Sequence, residues 1–372
     1  MTRGLAPADV VVSGGGLAAA AVALELARRD LAVCLFARGG AGVPSAPGGP
    51  VAAQACVDRA PEARADLALL SRHLFSDWLS ALEEETGLPC EYDERGAMTV
   101  ALDEEEEVAL DRALDAQRAR AAHFEVLDTA VARGREPALA ASLRAAFSFP
   151  RDGVARAGRV GRALVLAARA AGGRVPEGTG LREVSFSSGR LAGVRTSAGS
   201  LPAETVVLAG RTGPAGVRGG PPVWLERASP AWLRLDAAAD PDRPSRLLVS
   251  RGVSLVPRRD GSVLALGRAG PPEGAGQPGA GAVATLLSDV RRLVPASAEW
   301  GLLEAGTRPE LRAPDRLPVI GEAGSAGLFV ATGWEGDELL LAPAAAAVVA
   351  DLVTGRTPPL PAGPFSPLRG AG

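Results

Sequence analysis

Residues 9–38 read DVVVSGGGLAAAAVALELARRDLAVCLFAR, and this run holds three element patterns in succession. Residues 9–13 form a short β-branched run, which is typical of a buried strand. Residues 17–29 are rich in alanine and contain neither glycine nor proline, which favours a helix. Residues 32–36 are again apolar and predict a second strand. The order of strand, helix and strand predicts a βαβ unit with a glycine-rich first turn.

The glycine-rich turn indicates what this unit binds. The pattern Gly14-x-Gly16-x-x-Ala19 lies between a strand and a helix, which is the setting that a dinucleotide-binding fingerprint requires. Gly14 permits the tight turn, Gly16 lets the backbone approach a pyrophosphate, and the small Ala19 still allows close helix–strand packing. With Gly15 between the two motif glycines, the N–H groups at the helix start favour a phosphate. The alternative is a turn without a ligand in a protein that is rich in alanine and glycine throughout.

One feature of the fingerprint is missing. About 20 positions after the last motif glycine, an acidic residue normally binds the ribose hydroxyls. This sequence has Ala37 there, followed by Arg38. We therefore expect weaker binding of the dinucleotide than an acidic residue would give, with Arg38 as a further candidate contact.

The composition limits the classes of function. The chain has 372 residues and a formal net charge of −3, which allows two or three domains. This balance argues against nucleic acid as a partner, because phosphate-binding surfaces usually carry a basic excess. The three cysteines are too scattered for a disulfide framework, and with only two histidines a metal site is not expected. We therefore expect reduced thiols and a cytoplasmic location. The apolar residues 10–27 are broken by glycines and closed by charges, so we predict neither a signal peptide nor a membrane span.

Periodicity and turn residues predict the remaining elements. Helices are expected at residues 67–86, 103–122, 160–171, 283–293 and 337–352. Strands are expected at residues 205–209 and 328–332, with hairpins in residues 91–102 and 247–267.

The C-terminal third carries the most specific motifs. Residues 305–309 read AGTRP and residues 314–321 read PDRLPVIG, in the form "aGlRP…pDglPviG". Residues 333–343 read GWEGDELLLAP, against the form "GH.rnGilLAP". Weaker matches lie at residues 86–103, 136–139, 152–154 and 256–261. These motifs resemble those of the D-amino-acid-oxidase-like flavoproteins, within the glycine oxidase and amino-acid dehydrogenase group.

The resemblance implies an α/β fold with two domains. The first is an FAD-binding, Rossmann-like domain of the glutathione-reductase type, assembled from residues 1–85, 146–215 and 310–360. The second is an α+β substrate domain with an antiparallel sheet, formed by residues 86–145 and 216–309. Residues 361–372 are expected to form a tail.

The resemblance also implies a chemistry, the oxidation of a C–N bond in a small amino acid or amine by hydride transfer to FAD. We expect the FAD to be non-covalent, because members with attached flavin use a cysteine in the C-terminal half and the last cysteine here is Cys90. Arg308 aligns with the family arginine that holds the substrate carboxylate in a planar fork, although a structural ion pair is the alternative. The helix after Gly333 would point its N-terminus at the flavin. The implied catalytic residues are Arg308, Trp334 and Asp337, and the implied cofactor-binding residues are Gly14, Gly15, Gly16, Ala19, Arg38, Gly333, Gly336 and Glu338.

Several positions depart from the family pattern. Trp334 replaces a histidine, Gly336 replaces an arginine of the glycine oxidase form, and Ser254 stands where a substrate-contacting tyrosine is often found. Asp337 and Glu338 bring two carboxylates to a helix start, where they either cap the helix or bind a substrate ammonium. If they point at the flavin, they oppose the negative charge of its reduced form. Residues 209–211 lack the usual "GaWs".

These departures leave an alternative function open. The chain is either a working oxidoreductase, or an accessory subunit that keeps the fold with weak or lost catalysis. The Glu335-Gly336-Asp337 variant resembles proline-dehydrogenase-like and cyanide-forming members, several of which work in multi-subunit complexes. Partner subunits or a homo-oligomer are therefore expected, besides the small amino acid or amine.

Overall fold

The βαβ unit predicted from residues 9–38 is present in the computed structural model, with its two strands parallel. The structure describes residues 6–37, 39–42, 48–56, 61–119, 123–210, 217–221, 224–267 and 277–369. The helices are α1 (Leu17–Ala27), α2 (Glu62–Thr86), α3 (Glu104–Ala119), α4 (Thr129–Arg135), α5 (Ala157–Ala170), α6 (Ala280–Leu293) and α7 (Glu338–Val353). The strands are β1 (Val10–Ser13), β2 (Val33–Phe36), β3 (Gly49–Val51), β4 (Ala97–Ala101), β5 (Glu125–Leu127), β6 (Ala145–Phe149), β7 (Gly153–Ala155), β8 (Leu181–Ser187), β9 (Arg190–Thr196), β10 (Gly199–Pro202), β11 (Thr205–Ala209), β12 (Glu226–Ala228), β13 (Ala231–Asp236), β14 (Leu247–Val249), β15 (Val253–Pro257), β16 (Ser262–Gly267), β17 (Gly301–Thr307), β18 (Glu310–Arg312), β19 (Val319–Glu322) and β20 (Leu328–Thr332).

A five-stranded sheet forms the centre of the dinucleotide-binding part, in the order β19-β20-β11-β1-β2. Four strands are parallel, and only β19 is antiparallel to its neighbour. One face is covered by α1, α5 and α7, and the other by the antiparallel sheet β8–β10. Every residue of α1 except Glu25 is buried, as expected for a helix enclosed on all sides. The parallel strands are near-continuous apolar runs because both faces of their sheet are covered.

An eight-stranded sheet forms the second part, in the order β17-β13-β16-β15-β14-β4-β6-β5. All its pairings are antiparallel except β14 with β4. Helix α6 packs on one face through Leu286, Val290 and Leu293. The opposite face packs against Ala52 and Ala55, in the segment between the two sheets. The fold is thus mixed α/β, with one largely parallel and one largely antiparallel sheet.

The prediction of a hairpin in residues 91–102 is wrong. The strand β4 pairs with β6 and β14, whereas Asp93 exchanges two backbone hydrogen bonds with Val154. Arg95 forms an ion pair with Asp93, so the turn residues are used locally and do not join two paired strands. The predicted hairpin in residues 247–267 is present as β15–β16, but a third strand, β14, precedes it.

Two boundaries differ from the predicted division. The strand β6 lies in the eight-stranded sheet, although the division places most of it with the FAD-binding part. In the predicted tail, Phe365 is buried in the main core and Arg369 forms an ion pair with Asp315, so residues 363–369 pack on the body of the protein. Within the described residues, no helix has both the length and the hydropathy that crossing a membrane requires.

Candidate cofactor and substrate site

The glycine turn follows the carboxyl end of β1 and is closely packed. A Cβ atom on Gly14 would lie 1.9 Å from the carbonyl oxygen of Ala209 on β11 and 3.0 Å from the Cβ of Ala19. A Cβ on Gly15 would lie 2.8 Å from the carbonyl oxygen of Gly40. Only glycine therefore fits at both positions, and Ala19 packs on the turn as the fingerprint requires.

The third glycine of the turn faces a carboxylate of the chain itself. Gly16 is the N-cap of α1 and has no side chain with which to cap it. The Oε1 atom of Glu338 accepts a hydrogen bond of 3.1 Å from the N–H of Ala18, and it lies 2.0 Å from where a Cβ on Gly16 would stand. The side chain of Glu338 is buried. A negatively charged group thus lies over the turn where a pyrophosphate is predicted.

The position of the missing ribose ligand adjoins this turn. The Cβ of Ala37 lies 4.0 Å from a Cβ placed on Gly15, so an acidic side chain at residue 37 would stand beside the turn. Arg38, the further candidate contact, lies outside the described residues, as does the last residue of the stretch 209–211.

The segment from Gly333 to Asp337 forms a tight turn between β20 and α7. Gly333 and Gly336 have φ angles of +78° and +85°, and Glu335 is also left-handed at +48°. Trp334 is buried, and its indole Nε1 has no hydrogen-bond partner among the described residues. The structure therefore holds a buried donor next to the start of α7.

A buried arginine from α2, which the sequence analysis did not identify, organises this turn. The guanidinium of Arg64 donates to the carbonyl oxygen of Trp334 at 3.0 Å and to Oδ2 of Asp337 at 2.7 Å. It also donates to the carbonyl oxygen of Arg316 at 3.2 Å. Asp337 occupies the N-cap position of α7 but makes no capping hydrogen bond with its side chain. The carboxylate of Asp337 instead forms an ion pair with Arg64.

Arg308 lies just beyond the end of β17 and forms an ion pair with Glu310. Its Nε donates to Oε2 of Glu310 at 3.2 Å, and both side chains are largely buried. A Cβ on Gly336 would lie 2.9 Å from Nη2 of Arg308 and 2.8 Å from Oε2 of Glu310. Burial raises the pKa of the Glu310 carboxyl, and the positive charge of Arg308 opposes this rise. The structure thus brings Arg308 and Gly336 together, with the carboxylate of Glu310 next to both.

A second group of side chains lies on the face of the eight-stranded sheet that packs against Ala52 and Ala55. Ser254, Leu266, Trp232 and Gly306 lie side by side on neighbouring strands. The indole of Trp232 covers Gly306, where a Cβ would come within 2.6 Å of its ring. Ser254 is buried in this row. Trp232 has no local sequence signal, because only the strand register sets it next to the strand that leads to Arg308.

The segment between the two sheets is anchored by a fully buried carboxylate. Oδ2 of Asp152 accepts hydrogen bonds from the backbone N–H groups of Gln54 at 3.1 Å and Ala55 at 2.7 Å. Burial raises the pKa of Asp152 to about 6, although these hydrogen bonds and the charge of Arg72 oppose the shift. Asp152 therefore fixes the backbone of residues 54–55 against the eight-stranded sheet.

The known proteins to which this chain is similar indicate one family of flavoproteins. A family model described as FAD dependent oxidoreductase (DAO) matches residues 9–352. The chain is 32% identical to glycine oxidase from Geobacillus kaustophilus, over 98% of this chain and 97% of that protein. It is 29% identical to the bifunctional protein ThiO/ThiG of Trichormus variabilis over 93% of this chain, and it spans about half (52%) of that longer protein.

Two solved structures give the same result. The crystal structure of the Geobacillus kaustophilus glycine oxidase superposes with a TM-score of 0.91 at 29% identity, covering 99% of this chain and 100% of that chain. That of L-proline dehydrogenase from P. horikoshii gives a TM-score of 0.85 at 20% identity over 98% of this chain and 97% of that chain, a likeness of fold. The chain therefore belongs to the DAO family of FAD-dependent amino-acid oxidoreductases.

Proposed function

We propose that the protein oxidises the C–N bond of a small zwitterionic amino acid or amine, with FAD held non-covalently. The observation that carries this proposal is the position of the segment from Gly333 to Glu338. Within this segment Gly336 lies against the Arg308–Glu310 pair, and two residues later Glu338 reaches the glycine turn of α1. One short segment thus joins the predicted substrate ligand to the predicted cofactor turn.

The residues at the turn fit FAD in two respects. Gly16 places no side chain over the start of α1, whose N–H groups favour negative charge, and the negative group that lies there in this structure is the carboxylate of Glu338. Trp334 has a buried Nε1 donor with no acceptor among the described residues, which suits a polar group of the cofactor. FAD, when bound, supplies the acceptor for the hydride that leaves the carbon next to the nitrogen.

The pairing of Arg308 with Glu310 narrows the substrate class. Glu310 accepts from Nε of Arg308, which leaves the two Nη groups to form a fork with a substrate carboxylate. The carboxylate of Glu310 then lies close enough to the same molecule to receive its ammonium group. Because Gly336 stands where the glycine oxidase form has a second arginine, the predicted site carries one positive and one negative charge. We infer a preference for zwitterions such as glycine, sarcosine, proline or D-amino acids over dicarboxylates.

The second candidate is an accessory subunit that keeps the fold with weak or lost catalysis. The carboxylate of Glu338 over the glycine turn favours this alternative, because it opposes the binding of a pyrophosphate. The longer relative ThiO/ThiG, of which this chain spans about half, supports association with a partner protein, and a homo-oligomer is the alternative. The cytoplasmic location predicted from the three free cysteines belongs to this proposal as well.

The experiment that separates the two candidates is anaerobic. The purified protein, reconstituted with FAD, is mixed with glycine, sarcosine, proline and a panel of D-amino acids while the flavin absorbance is followed. The proposed enzyme loses its flavin colour with at least one zwitterionic substrate. A protein that takes up no FAD, or whose flavin stays coloured with every compound, would be the accessory subunit.

A further inference from the structure

The first residue of α7 makes an unusual long-range contact. Glu338 is separated from Ala18 by 320 positions, yet its Oε1 accepts the Ala18 N–H at 3.1 Å. The side chain is 4% exposed, so this contact is inside the protein and not on its surface. The carboxylate crosses from its own helix to the start of α1.

Two features of α1 explain why the carboxylate lies there. The N-cap residue is Gly16, which has no side-chain oxygen, and the first turn of α1 contains no acidic residue. The free N–H groups and the positive end of the helix dipole therefore lack a local partner. Glu338 provides from another helix the negative charge that this helix start otherwise obtains from a ligand.

The space that Glu338 occupies is the space that the fingerprint keeps open for a pyrophosphate. Its two carboxylate oxygens lie 2.0 Å and 3.0 Å from a Cβ placed on Gly16, the glycine whose missing side chain allows the phosphate to approach. A carboxylate and a phosphate cannot share this volume, and their like charges repel in a buried site. The motif "GH.rnGilLAP" has a glycine at the position of Glu338, so the competing group is a feature of this chain.

We propose that Glu338 is an internal competitor of the FAD pyrophosphate and thereby sets the affinity of this protein for its cofactor. FAD binding requires the Glu338 side chain to leave the start of α1. The inference rests on the FAD-binding part of the proposed function and not on the substrate. It makes Glu338 a determinant of how much of the protein carries cofactor at a given FAD concentration.

The test uses flavin-free full-length protein and titration with FAD, followed by quenching of flavin fluorescence. Glu338→Gly removes the competing group, and we expect the Kd for FAD to fall at least tenfold. Glu338→Gln keeps the shape without the charge and should lower the Kd by a smaller factor. Glu104→Gln is the matched control, because Glu104 is likewise the first residue of a helix but is exposed and remote from the turn. Its Kd should equal that of the parent.

A second readout is independent of flavin. Inorganic pyrophosphate should raise the melting temperature of Glu338→Gly more than that of the parent, while the ligand-free variant should melt lower because α1 has lost its partner. Unchanged or weaker FAD binding in both folded Glu338 variants would overturn the inference. Tighter FAD binding without substrate bleaching would sustain it and contradict the proposed function, so the two failures are distinguishable.

Discussion

Within the proposed function, we expect Glu310 to limit how strongly Arg308 holds a substrate carboxylate, because the two side chains form an ion pair. In Glu310→Gln the size is kept and the opposing charge is lost, so a carboxylate ligand without an ammonium group, such as acetate, should bind more tightly. A charge-assisted hydrogen bond contributes about 1.5–3 kcal/mol, which corresponds to roughly a 10- to 100-fold lower Kd. Kd values for acetate, from the change in flavin absorbance on binding, provide the measurement, with an amine that lacks a carboxylate as the control ligand. Equal or weaker binding of the carboxylate ligand would show that Glu310 does not restrain Arg308.

Asp152 makes stability depend on pH in a defined window. Its pKa is raised from the ordinary 3.8 to about 6 in the folded state, mainly by burial. Because the folded state holds this proton more tightly than the unfolded state, the protonated carboxyl adds stability that is fully present below about pH 4. This added stability is lost as the pH rises through 6. Two pKa units correspond to about 3 kcal/mol.

Asp152→Asn keeps an acceptor oxygen but cannot ionise. Between pH 4 and pH 7 the parent should therefore lose about 3 kcal/mol of unfolding free energy that Asp152→Asn does not lose. Urea unfolding at four pH values gives the comparison, and the exposed Asp30→Asn variant controls for net charge. A difference that does not vary with pH would mean that the Asp152 carboxyl titrates normally.

At the scale of elements, α2 holds the turn between β20 and α7 through Arg64. Arg64→Met keeps the apolar stem but leaves Asp337 and two carbonyl groups without their donor. We expect a loss of about 3 kcal/mol in unfolding free energy, at the low end for a broken buried pair because Asp337 is partly exposed. FAD affinity should fall as well, since the same turn places the buried Nε1 donor of Trp334.

The matched control for Arg64 is Arg28→Met. Arg28 also joins two helices through an ion pair, with Glu85, but both side chains are partly exposed. Its loss should cost less than about 1 kcal/mol. Equal effects of the two substitutions on urea unfolding would argue against a special role for Arg64.

The sequence predicted those helices and strands whose boundaries are marked within a single stretch of residues. The βαβ unit was predicted within two residues at each end, and α7 within one, because apolar runs and glycines mark those boundaries. The strand β4 was assigned to the wrong partner, because its neighbours β6 and β14 come from distant segments.

The candidate site likewise has residues that the sequence predicted and residues that only the folded structure shows. Gly14, Gly16 and Arg308 stand in recognisable motifs, and the sequence analysis identified them as candidates. Arg64 and Glu310 lie in no such motif, and their contacts exist only once α2 and β18 are packed against the turn after β20. Tertiary packing, which no local pattern encodes, determines which charges meet.

At the scale of the whole molecule, the candidate site lies where the two large sheets meet. The glycine turn follows the carboxyl end of β1, and the turn at Gly333 follows that of β20 in the same sheet. Ligands of open α/β sheets bind outside the carboxyl ends of the strands. Arg308 approaches the same place from β17 of the other sheet, so cofactor and substrate ligands come from different parts of the fold.

The cofactor should be released intact from the unfolded protein. The three cysteines of the sequence are Cys34, Cys56 and Cys90, and residues 308–315 contain none. After precipitation with acid, the flavin of the loaded protein should therefore remain in the supernatant, as absorbance spectra of both fractions would show. Colour that stays with the precipitated chain would mean that the flavin is covalently attached.

The central claim is that Arg308 holds the carboxylate of an amino acid so that the carbon next to its nitrogen faces FAD. Anaerobic bleaching of the FAD-loaded protein by proline and by pyrrolidine, which lacks the carboxylate, tests this claim most directly in the parent and in Arg308→Lys. Because lysine keeps a positive charge for Glu310, folding should be preserved. Lysine cannot, however, form the planar fork with a carboxylate. We predict that the parent prefers proline over pyrrolidine, and glycine over methylamine if glycine is the better substrate. Arg308→Lys should lose most of this preference, which is worth about 2–5 kcal/mol. A preference that survives in Arg308→Lys, or a flavin that no amino acid bleaches, would contradict the account.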